Sequence, residues 1–339
     1  ISIDAIATDD VINAAEKGAD LVLSGVTTNV EAGQTVTISL NGRIYTTTVD
    51  DSGNWTYTVP SADLAGLKDG DASVQVSVTN VNGNSASAGR EYSVDATAPS
   101  VTINMIATDD ILNASEAQSD LAISGTSTAE AGQTVTVSLN GKDYTTTVSA
   151  NGSWTLNVPA ADLAGIADGS AAVTVTVSDK AGNPASAGAS VLVDTTVPQI
   201  TFNIVAGDDI VNIAEHGQAL IVTGKVTGAQ AGDVITLTLN GKDYTAMLDA
   251  SGNWSVGVPA TDVGALANGD QTISATLTDK AGNSTSATHA FDVSLTAPVI
   301  TINTLAVDDV INATEKGQDL LISGTSNQPD GTRDRKSVV

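Results

Sequence analysis

Three tryptophans mark out a regular spacing along this chain. Trp55, Trp154 and Trp254 stand in "SGNWTYTVP", "NGSWTLNVP" and "SGNWSVGVP". Paired aspartates begin at positions 9, 109, 208 and 308, and prolines keep the same interval at Pro99 in "DATAP", Pro198 in "DTTVP" and Pro298 in "SLTAP". Three markers with one period establish duplication of a unit of about one hundred residues. That period is too long for a small solenoid repeat, so each unit must close a core of its own. The 339 residues hold three full units, at 1–97, 98–196 and 197–296, and an incomplete fourth at 297–339.

The second unit reads strand by strand. "SVTINMI" (100–106) and "LAISGTS" (121–127) flank an acidic segment. "QTVTVSLNGKDYTTTV" places Val135, Val137 and Leu139 on one face and turns at Asn140-Gly141, the strongest short hairpin signal. Trp154, Leu156 and Val158 share a face of "SWTLNV". "PAADLAGIADG" has helical spacing for one or two turns and crosses between sheets; "AAVTVTVSD", the turn "KAGN" and a last strand ending "SVLVD" follow. Seven strands of this kind predict an all-β fold of tandem, seven-stranded immunoglobulin-like β-sandwich domains in a linear array. The tryptophans are expected to be inward-facing core anchors, and Tyr45, Tyr144 and Tyr244 to pack across their hairpins. The fourth unit has its first strand, its acidic segment and "LLISGTSN", then leaves the pattern in "QPDGTRDRKSVV". Two strands cannot close a sandwich, so this unit is expected to be incomplete and poorly ordered beyond about residue 326.

Composition narrows the function. Val, Thr, Ala, Ser and Gly dominate, aromatic residues make up only 3%, and 39 acidic against 13 basic residues give a formal charge of −26. Such a balance argues against nucleic acid or an anionic membrane as partner and favours solubility or divalent cations. There is no cysteine, so neither a disulfide scaffold nor a thiolate metal site is available. No apolar run spans a bilayer. "ISIDAIATDD" begins inside a repeat with no leader peptide, as expected of a piece of a longer protein.

The acidic segments "ATDDVINAAE", "ATDDILNASE", "AGDDIVNIAE" and "AVDDVINATE" carry no basic residue of their own. Adjacent carboxylates repel unless they are solvated or share a cation. Calcium takes six to eight oxygens, more than one segment supplies. In a sandwich of this topology the segment, the end of the last strand and the final hairpin of the following unit are expected at one pole. The candidate site at the first junction is therefore Asp9, Asp10, Asp95 and Asp179, and at the second Asp109, Asp110, Asp194 and Asp279. Glu16 and Glu116 either add to these sites or cap the short turn that follows. Asp208 and Asp209 lie at a third junction where Ser294 replaces the linker aspartate, and Asp308 and Asp309 lack partners altogether. In the first unit Asn80 stands where the others have Asp179 and Asp279. The bland alternative is that all of these are solvated turn residues. His216 and His289, in unrelated elements, are expected at the surface rather than in a metal or catalytic pair.

The motifs "DDxIN…E", "SLNGKxYT", "GxWxxxVP…ADLAGLADG", "DKAGN" and "VDxTxP" together resemble the bacterial immunoglobulin-like repeats of giant type I-secreted adhesins and biofilm-associated proteins, over residues 1 to about 326. That resemblance implies a non-enzymatic, extracellular stalk at the bacterial cell surface, folded and stiffened by external calcium ions. The implied partners are calcium and neighbouring repeats of the same chain, with host-cell surface or biofilm matrix met through other regions. Two other readings stay open: a module binding a glycan or host protein, and an accessory region of a secreted polysaccharide-active enzyme.

Overall fold

The computed structural model describes residues 1–328. The chain divides into two compact units, the first covering residues 1–196 and the second beginning at Val197. The off-pattern tail carrying Arg333, Arg335 and Lys336 lies outside the described residues.

The first repeat contains β1 (Val11–Ile12), α1 (Ala14–Lys17), β2 (Leu21–Val26), β3 (Thr35–Leu40), β4 (Arg43–Thr48), β5 (Asn54–Val59), α2 (Ser61–Leu64), β6 (Gly70–Thr79) and β7 (Ser85–Val94). One layer has the order β1-β7-β6-β3-β4, and the other pairs β2 with β5. The chain start adds to the smaller layer, where the N–H groups of Ser2 and Asp4 donate to Val26 and Ser24 carbonyls at 2.8 and 2.9 Å. Alternation along the strands makes the core. Val36, Ile38 and Leu40 of β3 lie opposite Val78, Val76 and Val74 of β6, and all six are buried. The one-turn α2 carries the chain from one layer to the other and buries Leu64 beneath it.

The second repeat repeats the plan with β8 (Ile111–Asn113), β9 (Leu121–Thr126), β10 (Thr134–Leu139), β11 (Lys142–Thr147), β12 (Ser153–Val158), β13 (Gly169–Ser178) and β14 (Pro184–Asp194). The second unit contains a third such repeat with its own core around Trp254, Ile235, Leu237 and Val293. Trp55, Trp154 and Trp254 are each 2% exposed, the anchors expected of them. At the Asn-Gly turns both residues have positive φ, 47° and 76° at Asn41-Gly42, the type I′ geometry that matches strand twist.

One glycine per repeat is fixed by a close approach. A Cβ on Gly25 would lie 2.0 Å from the Ser2 carbonyl oxygen, and one on Gly125 1.9 Å from that of Thr102. The "SG" and "TG" dipeptides before each tryptophan hairpin are therefore where the first extended segment crosses the tryptophan-bearing layer. In the incomplete fourth repeat, Ile300–Ile302 and Gly324–Ser326 pair as two short strands. Ile300, Ile302 and Leu321 stay 75, 70 and 82% exposed, as two strands without a second layer must leave them.

The acidic segments depart from the sequence reading. Read only as acidic segments between the first two strands, they contain β1, β8 and the strand Ile210–Asn212, each running parallel to the last strand of its repeat. Two or three residues between a turn and a cap are too short for periodicity to show.

Candidate functional site

The paired aspartates fold their own segment. Asp9 Oδ1 accepts the Val11 N–H at 3.0 Å, and Asp10 Oδ1 accepts the Ile6 N–H at 3.0 Å. Ala7, Thr8 and Asp10 hold φ of 51°, 79° and 65°, a left-handed run costing about 1–2 kcal/mol per residue. The carboxylates offset that strain by satisfying amides the turn would orphan. Asp109 and Asp110 bond Ile111 and Ile106 the same way, Asp208 and Asp209 bond Ile210 and Val205, and Asp308 and Asp309 bond Val310 and Leu305.

The second aspartate also meets the last strand, which in the first repeat supplies the basic partner its own segment lacks. Arg90 Nε and Nη2 donate to the two oxygens of Asp10, both at 2.6 Å. This bidentate hydrogen bond, then the Ile6 amide, lowers Asp10 to about 2. In the third repeat His289 Nε2 contacts Asp209 Oδ1 at 2.7 Å, and that bond, with the Val205 amide second, holds Asp209 low. His289 is half-buried rather than free at the surface: its side chain is 22% exposed and stacks on Phe202 at 5.4 Å. The matching position of the second repeat, opposite Val173 as Arg90 is opposite Val74, is Ala189. His216 Nε2 meets the Leu266 carbonyl at 3.1 Å.

Glu16 takes the capping role. Its N–H donates to Asn13 Oδ1 and its carboxylate accepts the Asn13 N–H, both at 3.0 Å. Glu116 and Asn113 repeat the exchange at 3.1 and 3.0 Å.

Within the first unit the predicted cluster divides in two. The Asp10 carbonyl accepts the Ser93 N–H, whereas the Asp95 N–H is given to the Ile12 carbonyl. β1 therefore separates Asp9 and Asp10 from Asp95 by roughly three extended residues, on the order of 10 Å. The same register sets Asp194 opposite Asn113, beyond Asp109 and Asp110. The main chain of Asp95 does come near Asp179, through one shared neighbour. The residue that joins them is Asn183, which is 1% exposed. Its Oδ1 accepts the Ala14 N–H of the first repeat at 2.7 Å. Its Nδ2 donates to the Asp95 carbonyl at 2.8 Å and to Asp179 Oδ2 at 2.9 Å. Asp179 Oδ1 accepts the Asn183 N–H at 2.8 Å, and Glu130 steadies the turn by accepting the Lys180 N–H at 2.8 Å. In the second unit Asp279 holds its own hairpin similarly, accepting the Ala281 and Asn283 N–H groups at 3.0 and 2.8 Å.

These placements decide what suits a cation. Asp10 is committed to Arg90 and Glu16 to its cap. The Asp95 carbonyl and the Asp179 carboxylate are hard oxygens of the kind calcium takes, and Asn183 donates to both. Among the described residues no three His, Cys, Asp or Glu side chains form a ready-made cluster. Asn183 escaped sequence reading because Asn is expected in any such turn; its signal was its return as Asn84, Asn183 and Asn283. Also missed were the contacts of Tyr45, Tyr144 and Tyr244, whose hydroxyls donate to Asp63, Asp162 and Asp262 at 3.0, 3.0 and 2.8 Å. The hollow on the second repeat is an open groove of the sheet face, lined by Thr134, Thr136, Thr176 and Ser186. Among the described residues no helix is long and apolar enough to cross a membrane.

The sequence model of the bacterial Ig-like domain matches residues 8–96, 99–195 and 196–295. No curated protein matches the chain. Among solved structures, a Ca2+-stabilised adhesin that helps an Antarctic bacterium reach out and bind ice is 38% identical, covering 96% of this chain and 82% of that one, with a TM-score of 0.45. A 1.5-MDa bacterial ice-binding adhesin, solved in work on host cell surface retention, is 36% identical over 87% of this chain and 97% of that one, with a TM-score of 0.43. A single immunoglobulin-like domain of the M. primoryensis ice-binding adhesin is 48% identical, covering 29% of this chain and all of that one, with a TM-score of 0.25. Three matched segments covering most of the chain, on repeats that each close a two-layer β core, place it plainly: the protein belongs to the bacterial Ig-like domain family, as a tandem array of such domains.

Proposed function

We propose that this chain is a structural stalk segment of a large bacterial cell-surface adhesin, non-enzymatic, serving adhesion or biofilm formation from outside the cell after type I secretion. The observation that carries the reading is the use made of the conspicuous polar residues. Asp9, Asp10, Glu16, Asp179 and Asn183 are spent on turns, caps and a repeat-to-repeat joint, and none converges on a substrate cleft. Sequence identity of 38 and 36% to adhesin segments supports the same reading, and the domain limits 1–97, 98–196, 197–296 and 297–339 follow from the repeat. Asp95 and Asp179 would hold calcium at the first joint, and Asp194 is the corresponding linker carboxylate of the second repeat. The ion supplies positive charge between carboxylates that otherwise repel, so it favours the arrangement in which they are close. For a Kd near 10⁻⁴ M, as in extracellular modules, a tenfold excess of free ion adds about 1.4 kcal/mol per site.

Small-angle scattering and thermal melting of the whole chain, in millimolar calcium and in excess chelator, test this. Calcium removal is expected to broaden the range of sizes and lower the melting temperature. Identical scattering and melting in the two buffers would reject calcium as the stiffening agent.

A further inference from the structure

Tension along this chain enters each repeat at its first extended segment and leaves at the end of its last strand. In the first repeat β1 and β7 run parallel, with Val11 and Ile12 opposite Ser93 and Val94. Drawing β1 back by its start and β7 forward by its end makes the two strands slide past each other. Their rungs then carry the load together instead of opening one at a time. Those rungs are the Ser93 N–H on the Asp10 carbonyl at 2.9 Å and the Asp95 N–H on the Ile12 carbonyl at 3.0 Å. The other two repeats have the same parallel pairing. They also keep the first rung, from the Leu192 and Asp292 N–H groups to the Asp110 and Asp209 carbonyls, both at 2.9 Å. The main chain of the three loaded pairs is therefore alike, and the side chains beside them are not. One position of the last strand faces both the acidic turn and the entry segment. In the first repeat it is Arg90, which holds both oxygens of Asp10 at 2.6 Å and donates through Nη1 to the Ile3 carbonyl at 3.2 Å. In the third it is His289, with a single contact to Asp209 and its ring stacked on Phe202 of the entry segment. In the second it is Ala189, exposed and opposite Val173, with no polar group to offer Asp110.

We infer that this one position grades the mechanical strength of the repeats, through the lock that Arg90, Ala189 or His289 places across the sliding pair. The repeats then yield in a set order: the second first, the third next, the first last. A stalk graded in this way lengthens in separate steps as the load rises, and keeps its strongest repeat folded while the weaker ones give. The inference rests on the stalk reading, which supplies the tension. Location matters more than strength here. The Arg90 fork must release two parallel charge-assisted bonds at once before β1 can slide along β7. The ion pair of Arg43 with Asp63 joins the edge strand β4 to α2. Neither element belongs to the loaded pair, so that ion pair carries none of the load.

Force-clamp unfolding of the full chain in millimolar calcium tests the order. Thr28 and Asn29 lie in an exposed loop. A flexible insertion of about ten residues between them lengthens the first repeat's step by roughly 35 Å and so marks it in every record. The marked step is expected last in most records. Arg90→Ala should shorten its lifetime about fivefold, the factor that one partly exposed charge-assisted pair supplies, and move it earlier in the sequence. Ala189→Arg gives Asp110 the missing partner and should lengthen the lifetime of the first step by a similar factor. Arg43→Ala removes an ion pair of the first repeat outside the loaded strands and should leave the marked step last. Circular dichroism before pulling shows that each variant is folded; if Arg90→Ala is not, Ala189→Arg decides. A marked step whose lifetime is unchanged in folded Arg90→Ala, or shortened as much in Arg43→Ala, overturns the grading. So does a first step that Ala189→Arg leaves as brief as in the parent. The stalk reading fails separately, if the chain extends without discrete steps.

Discussion

Replacing Gly125 with alanine tests how the first extended segment and the tryptophan layer are locked together. The new Cβ would sit 1.9 Å from the Thr102 carbonyl oxygen and 2.6 Å from the Trp154 ring. Neither neighbour is a flexible chain end, so the segment around Thr102 must move by more than 1 Å. That movement breaks the hydrogen bonds from the Thr102 and Asn104 N–H groups to the Thr126 and Ser124 carbonyls, now 2.9 and 2.8 Å. Two such bonds contribute about 1 kcal/mol each, and overpacking beside the ring adds about 1–3 kcal/mol. The second repeat should therefore lose about 3–5 kcal/mol. Urea unfolding followed by Trp154 emission isolates this repeat when Trp55 and Trp254 are replaced by phenylalanine. Gly188→Ala is the control, since its nearest neighbour, the Val173 carbonyl oxygen, is 3.9 Å away; it should change stability by less than about 0.5 kcal/mol. A loss under about 1 kcal/mol for Gly125→Ala would refute the close-approach account of this repeated glycine.

The remaining expectations concern ionisation. Asp10 is lowered from 3.8 to about 2 by Arg90, so its folded form is the more acidic one. Its contribution is present above about pH 4 and is lost as the pH falls through 2. Melting of the first repeat should fall more steeply over that window in the parent than in Asp10→Asn, and parallel curves would argue against the pair. Tyr244 is raised to about 12, by burial first and then by its bond to Asp262. Here the folded state holds the proton more tightly, so the contribution is complete below pH 10 and is lost as the pH rises through 12. Absorbance at the phenolate band should show Tyr244 titrating near pH 12, and in Asp262→Asn nearer the ordinary tyrosine range.

Much of the fold was legible because its causes are local and repeated. Alternation placed Val135, Val137, Leu139, Val173, Val175 and Val177 correctly, and Asn140-Gly141 announced its turn through the positive φ it demands. The site was legible only in part. Acidity marked the right segments, but charge does not reveal direction. Asp10 turns toward Arg90, eighty residues on, a pairing created by the parallel register of β1 and β7 that no spacing in the sequence discloses. The same strand keeps Asp9 and Asp10 away from Asp95. Asn183 was hidden for a different reason: turn propensity explains an asparagine at that position so well that its second duty, across the joint, leaves no further trace.

Pulling the chain from its two ends in a single-molecule force experiment tests the central claim most directly, that these are independent mechanical repeats in series. Three separate unfolding events are expected, each releasing roughly 300 Å of chain, the extended length of about one hundred residues less the folded span. Calcium should raise the force at which they occur. A single event releasing the whole length at once, or smooth extension without steps, would contradict the account.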